Sequence, residues 1–334
     1  MTGAMPPGPV PRISVVVPTC RRPELLLRCV MGLMEQDIGP EAFEVLVVDD
    51  GHQAGVLNLV QALAAEPRAP LLRYLRPSAG RGPAVARNLG WRAARGDIVA
   101  FTDDNTLPVN SWLSSGEAAL RGSGWAALGG RVMVPLKPDR APTDHEKTTQ
   151  GLERAEFVTA NAFVRRHALQ QVQGFDERFT RAWREDSDLH FRLMDQAGPV
   201  GRCEQAVVLH PARAERWGVS LRQQKNAFFE ALLYAKHPQR YVTQLGLPVP
   251  WDCYAIVCLV VLAAGLGIVG IPGSAVVSAA LALLGVAWLA RRRLRGTSRR
   301  PWHVLEMVAT SLLIPFLSVY WRLRGALHFR VWFL

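Results

Sequence analysis

Short apolar runs recur through the first hundred residues, each followed by a polar turn and then by a stretch with helical spacing. The runs are ISVVVP, FEVLVV, LLRYL and DIVAFT, and the helical stretches between them are Pro23–Gln36, Val56–Ala65 and Pro83–Arg95. Val-rich runs without polar alternation fit strands buried on both faces, as parallel strands are. Alternating strands and helices predict an α/β fold: a mostly parallel sheet flanked by helices. Ligands of such sheets bind at the carboxyl ends of the strands. The polar residues there are Thr19, Asp49 and Asp50, Arg81, and Asp103 to Asn105.

The pattern changes after residue 250. From Cys253 to Ala290, 38 residues pass without Asp, Glu, Lys, Arg or His, interrupted only by GIPGS at Gly270–Ser274. Each half approaches the ~20 apolar residues that cross a hydrocarbon core. Two membrane helices are expected, over about 252–271 and 274–290. RRRLRGTSRR follows at once, with six Arg in ten residues, and the positive-inside rule places that loop in the cytoplasm. An even number of crossings then puts the preceding α/β region in the cytoplasm too. A third apolar segment, about 303–321, carries Glu306 and Pro315 and has basic flanks on both sides. An interfacial or re-entrant helix satisfies the charge rule there better than a clean crossing. The expected organisation is a disordered Pro/Gly-rich lead over residues 1–11, an α/β domain over 12–245, and a membrane region over 251–334.

The net charge of +11 suggests nucleic acid until its distribution is read. Residues 253–334 hold nine Arg and one acid, which leaves 30 basic and 27 acidic side chains in the first 252 residues. That near balance lacks the basic excess of a nucleic-acid-binding domain. Nucleic acid is therefore not an expected partner. The five cysteines are scattered without a CxxC, so no disulfide framework or zinc site is legible and a reducing compartment fits. MTGAMPPGPVPR has no basic segment followed by an apolar one, so it does not read as a signal peptide.

Two acidic pairs end strands: Asp49 and Asp50 after FEVLVV, Asp103 and Asp104 after DIVAFT. One Asp-Gly after a strand is ordinary turn chemistry. Two pairs on one sheet edge repel unless a cation or hydrogen-bond donors offset the charge. Mg²⁺ or Mn²⁺ takes oxygen ligands and bridges carboxylates to phosphates. Arg87, in the helix after Gly80-Arg81-Gly82, could reach such a phosphate. The glycines themselves are a weak dinucleotide signal, since Val85 stands where a third glycine is needed. Farther on, Glu185, Asp186 and Asp188 open a helix after a Trp-containing loop. Acids there favour the helix dipole, but three within four positions exceed that need, and one is suited to act as a general base toward a hydroxyl. His210, in VVLHPAR, follows a strand and is a further metal or phosphate ligand of interest.

From about Ile13 to Tyr241 the chain resembles the inverting nucleotide-sugar transferases of glycosyltransferase family 2, which have the GT-A fold. The resemblance rests on VVVPTCRRPELL, VLVVDDG, GPAVARNLGWRAARGDIVAFTDDN, VQGFDERF and REDSDLHFRL in that order. It implies that Pro18 and Thr19 line the nucleotide pocket and that Asp50 binds the base. It further implies that Asp103 and Asp104 form the acidic motif holding ribose and metal, and that Asp186, beside Glu185, deprotonates the acceptor. Cys20 replaces an aromatic residue common in the family, and Asn105 replaces the usual last Asp of the motif. A carboxamide is a weaker ligand than a carboxylate, so Asp104 becomes the expected principal metal contact, with Asn105 and His210 beside it. The implied partners are a nucleotide-sugar donor and a lipid or saccharide acceptor at the cell membrane. Two other readings compete. A nicotinamide-dependent enzyme needs a glycine fingerprint where this chain has TCRRPE. A catalytically inactive GT-A scaffold is opposed by the intact Asp50, Asp104 and Asp186.

Overall fold

The computed structural model of the protein describes residues 10–246 and 249–333, so residues 1–9 of the expected lead lie outside the described residues. The chain forms two compact units: Met1–Pro135 with Gln150–Pro211, and Leu136–Thr149 with Ala212–Leu334.

The first unit opens with the alternation read from the sequence: β1 (Ile13–Thr19), α1 (Pro23–Met34), β2 (Phe43–Asp49), α2 (Ala54–Ala64), β3 (Leu71–Leu75), α3 (Pro83–Ala93) and β4 (Ile98–Thr102). It continues with β5 (Leu107–Pro108), α4 (Trp112–Arg121) and β6 (Ala127–Met133). After the chain's excursion through residues 136–149 come β7 (Asn161–Arg165), α6 (Arg166–Val172), α7 (Glu185–Gln196) and β8 (Val200–Leu209). The sheet runs β3-β2-β1-β4-β7-β6-β8-β5. β2 and β4 are buried along their whole length, as continuous apolar strands should be. β3 lies at the sheet edge and is only half covered, which accounts for the Arg and Tyr in LLRYL.

Strand directions decide where chemistry can gather. β1 is parallel to β2 and β4, and β2 to β3. β7 is antiparallel to both β4 and β6, so β6 runs with β4, and β8 is parallel to β6. Six strands therefore point the same way, with β7 and β5 opposed. The carboxyl ends of β1, β2, β4 and β8 all reach one edge. Beneath that edge, Val16, Leu46 and Phe101 from the sheet pack with Trp91 of α3, Phe175, and Leu189 and Leu193 of α7 in one core. A Cβ at Gly90 would overlap Val16, so glycine lets α3 lie close on β1.

The second unit is helical: α5 (Asp144–Thr149), α8 (Val219–Gln223), α9 (Ala227–Lys236), α10 (Pro238–Arg240), α11 (Trp251–Ile268), α12 (Pro272–Arg293) and α13 (Pro301–His328). α11, α12 and α13 are each long and apolar enough to cross a membrane. The third apolar segment is one continuous 28-residue helix that runs through Pro315. Arg293, at the end of α12, donates to Thr310 Oγ1 at 2.8 Å and Ser311 Oγ at 3.0 Å on α13, and to Asp144 Oδ2 at 2.8 Å.

Candidate functional site

The site grows out of the shared edge of β1, β2, β4 and β8. Thr19, the last residue of β1, donates from Oγ1 to Asp104 Oδ2 at 2.9 Å. Arg22, at the mouth of α1, donates from Nη1 to the other oxygen of Asp104 at 3.2 Å. Asp104 is buried, while the Arg22 side chain is 41% exposed and can be displaced. The motif loop rests on hydroxyls: Thr106 Oγ1 donates to the Asp103 carbonyl at 2.7 Å and lies 2.6 Å from Thr102 Oγ1.

Arg87 is the centre of the arrangement. It is buried on α3, and its guanidinium donates from Nη2 to Asp103 Oδ1 and from Nη1 to Glu185 Oε1, both at 2.8 Å. One cation thus joins the end of β4 to the start of α7, whose Glu185 lies 98 residues after Arg87. Asn88, the next residue, donates to the Phe175 carbonyl at 2.9 Å and to Glu177 Oε1 at 2.8 Å, and accepts from Phe175 N at 2.8 Å. GFDERF is thereby fastened to α3, and α7 begins where that turn delivers it.

The four strand-end carboxylates do different work. Asp49 accepts from Gly51 N at 2.9 Å, Gln53 N at 2.7 Å and Tyr74 Oη at 3.0 Å, so it builds the turn after β2. Asp50 accepts from Gly82 N at 3.0 Å, and its Oδ1 is buried without a partner among the described residues. Gly82 has φ +112° and would place a Cβ 2.9 Å from the Thr180 carbonyl. Glycine here serves the close approach of its backbone to that of Thr180 and to the Asp50 carboxylate rather than a dinucleotide fingerprint. Pro18 precedes Thr19 on β1 and is half-buried.

The acids of α7 also separate. Asp188 pairs with Arg192 at 2.7 Å, one turn along the same helix. Glu185 is buried, and burial, reinforced by the charge of Asp186, raises its pKa against the opposing pull of Arg87. Asp186 is half-buried; burial raises its pKa too, opposed by the Ser187 N–H, Arg87 and Arg184. Both carboxyls therefore hold a proton more readily than free ones. On the other flank, the Asn105 carboxamide lies 3.4 Å from Nε2 and 3.5 Å from Nδ1 of His210, which follows β8. The structure thus gathers Thr19 with Asp104, Asp103 with Arg87 and Glu185, and Asn105 with His210, and sets Asp186 next in the chain to Glu185.

Residues 14–175 match the family model described as glycosyl transferase family 2, and residues 143–319 match that of glycosyl transferase family group 2. The chain belongs to glycosyltransferase family 2. Similar relatives include the glycosyltransferase AglE of Haloferax volcanii, 25% identical over 213 residues that make up 61% of this chain and 68% of AglE. The validoxylamine A glucosyltransferase of Streptomyces hygroscopicus subsp. limoneus is 36% identical over 226 residues, 57% of this chain and 49% of its own length. The chain thus spans about half of that relative. A mannosyltransferase, PcManGT from Pyrobaculum calidifontis, solved with GDP-Man and Mn²⁺, superposes with a TM-score of 0.60 at 19% identity, covering 94% of this chain and 89% of its own. The fold is GT-A, and the protein is a glycosyltransferase.

Sequence reasoning passed over Arg22 and Thr106 in this family 2 site and gave no role to Asn88, the neighbour of Arg87. Arg22 was legible in TCRRPE, three residues after Thr19, but nothing local said that its partner is Asp104. Arg87→Ala is expected to destabilise the protein by about 3–5 kcal/mol, because it leaves Glu185 buried without its counter-charge. Denaturant titration of the purified protein measures this, with Arg87→Lys, which keeps the charge but not the two-pronged geometry, falling between. A loss under about 1 kcal/mol, no more than a surface ion pair is worth, would mean that the bridge does not hold these elements together.

Proposed function

We propose that the protein is a membrane-anchored, inverting glycosyltransferase that moves a sugar from a nucleotide-sugar donor to the hydroxyl of a lipid or lipid-linked saccharide. The observation that carries this reading is the Asp103–Arg87–Glu185 bridge. It holds a strand-end acid suited to the donor and a pair of high-pKa acids suited to the acceptor on one rigid frame. Pro18 and Thr19 line the donor pocket. The unpartnered Oδ1 of Asp50 supports a role in accepting the ring N–H of a uracil or guanine base. Asp103 takes the ribose.

Among the described residues no three His, Cys, Asp or Glu side chains gather as a ready-made metal site. Asp104, Asn105 and His210 nevertheless suit a hard divalent cation that draws its remaining ligands from substrate oxygens. Asp104 already faces one displaceable cation, Arg22. Bound by these residues, Mg²⁺ or Mn²⁺ would neutralise charge on the leaving diphosphate. Asp186 takes the acceptor hydroxyl proton. The freed oxygen attacks the anomeric carbon from the face opposite the diphosphate, whose bond to the sugar breaks as the new one forms. The stereochemistry inverts. Acceptors confined to a bilayer give the clearest physical reason for tethering the enzyme through α11 to α13.

Asp104→Ala is expected to abolish transfer and to weaken UDP or GDP binding chiefly when Mn²⁺ is present, as read by calorimetry with and without the metal. Equal binding and equal metal dependence in the variant would remove Asp104 from the metal site.

Asp186→Asn cannot accept a proton, so kcat should fall by about 10²–10⁴-fold with donor affinity little changed. The pH profile gives a second check. Asp186 acts only as the carboxylate, and its pKa is raised. In the wild type, kcat/KM should therefore be lost as pH falls through a midpoint above the roughly 3.9 of a free aspartate, and should hold its plateau above that midpoint. A midpoint at or below that value would place the base elsewhere.

The Arg291–Arg300 loop and the catalytic residues are assigned to the cytoplasmic side by charge bias. Cysteines introduced at Arg299, which is exposed, and at Val269, between α11 and α12, should label from opposite sides of sealed vesicles. Labelling of Arg299→Cys from outside intact cells would invert the topology.

A further inference from the structure

The helical second unit contains a cavity of about 300 Å³ whose walls all come from that unit. They are formed by residues 137–146, by the segment entered two residues after His210, and by the first two turns of α13. Three lining side chains carry a buried polar atom with no hydrogen-bond partner among the described residues: Nδ1 of His145, Oγ of Ser220 and Nε2 of His303. Ser220 and His303 are only 7% and 8% exposed. A buried polar group left unpaired costs about 1–3 kcal/mol. Three around one cavity are out of keeping with a native interior unless something else completes them.

The charges point to what completes them. Each acid lining the cavity is already engaged. Glu146 is held by both terminal nitrogens of Arg140 at 2.6 and 2.7 Å, and Asp144 by Arg293 at 2.8 Å. Glu215 pairs with Arg222 at 3.3 Å, and Glu306 accepts from Gly218 N at 2.7 Å. Lys137, Arg213 and Arg216 line the same cavity with no ion-pair partner among the described residues. The amino-terminal end of α13 adds the positive end of a 28-residue helix. Unmatched cations beside an unmatched hydroxyl and two imidazoles describe the lining that a multiply charged oxyanion requires. The volume accommodates a phosphate or diphosphate.

We propose that this cavity binds a phosphate or diphosphate group, and that the group is the head of a membrane lipid. This rests on the reading of the protein as a membrane-anchored transferase, and it gives that reading an acceptor class: lipids whose first polar group is a phosphate. Ser220, His303 and the imidazole of His145 donate to its oxygens, and Arg213 with Lys137 and Arg216 supplies the counter-charge.

The test uses the full chain in phosphatidylcholine nanodiscs with EDTA, so that metal-dependent donor binding does not contribute. Inorganic pyrophosphate is titrated by calorimetry. Binding should saturate at one site, and His303→Ala and Arg213→Ala should each weaken it tenfold or more. UDP or GDP binding with Mn²⁺, measured separately, should be unchanged in both variants. Ser220→Ala, the smallest change, should weaken pyrophosphate several-fold and keeps the test decisive if His303→Ala does not fold. Phosphatidic acid in the nanodisc distinguishes the sources. If it competes with pyrophosphate, the site takes a lipid head; if pyrophosphate binds and the lipid does not compete, the lipid assignment is overturned. No pyrophosphate binding, or binding that ignores all three substitutions, overturns the site itself. Failure of the wild type to bind any nucleotide would instead count against the donor chemistry and leave this cavity's result intact.

Discussion

A buried guanidinium is the constraint on which the catalytic unit depends. Arg87 keeps its charge, so burying it in the core without its two carboxylates would be costly, and Arg87 in turn favours the charged form of Glu185 there. The end of β4, the middle of α3 and the start of α7 must therefore be placed together or not at all. The neighbouring features follow from that demand. Gly90 lets α3 approach β1, and Gly82 lets its first turn meet Asp50 and Thr180. Gly174, at φ +70°, leaves room for Trp91 and Asn88 where any side chain would collide. These glycines bring three elements within reach of one side chain.

The same constraint explains how so many acids coexist on one edge. They are not pooled; each is assigned its own donors. Asp49 has backbone amides and a tyrosine, Asp103 has Arg87, and Asp104 has Thr19 and Arg22. Asp188 has Arg192 within its own helix. Among the described residues, the carboxylate oxygens on this edge that stay buried without a partner are one of Asp50 and one of Glu185, and the satisfied acids build the frame around them.

Which of this could be read from the chain depends on sequence distance. Strands buried on both faces announce themselves, and β1, β2 and β4 fall where the apolar runs place them. β5 is too short to show a pattern, and no apolar run distinguishes NAFVR of β7 from a loop. The antiparallel insertion of β7 was therefore not legible, although it carries β6 and β8 into line with β4 and brings His210 to the motif edge. Acidic motifs were legible as residue types. Their partners were not, because Arg87 and Glu185 are 98 positions apart and Thr19 and Asp104 are 85 apart. Nor does anything local mark residues 136–149, an excursion between two strands of the sheet, as belonging to the helical unit.

The long helices of the helical unit expose many large apolar side chains while burying several polar ones beside a small apolar core, and that argues for their surroundings. Large apolar side chains of α11 and α12 face outward, with Val261 65% and Leu284 66% exposed. Polar ones turn inward: Ser278 of α12 and Thr310, Ser311, Ser318 and Arg322 of α13 are buried. In water this arrangement is unfavourable twice over, exposing apolar area and desolvating hydroxyls. In a bilayer each half becomes sensible, since lipid tails accept the outer face and polar groups must find partners inside. Arg293, bonded to Thr310 and Ser311, shows such a partnership between α12 and α13. Arg322 stands over the ring of Phe333, 4.0 Å from its centroid. The inverted pattern extends into α13, whose Leu305, Leu312 and Leu313 are exposed while its hydroxyls are buried. The inside of α13 is mixed, since Met307, Ile314 and Val319 are buried beside those hydroxyls, and helices packed on one another use both kinds of group.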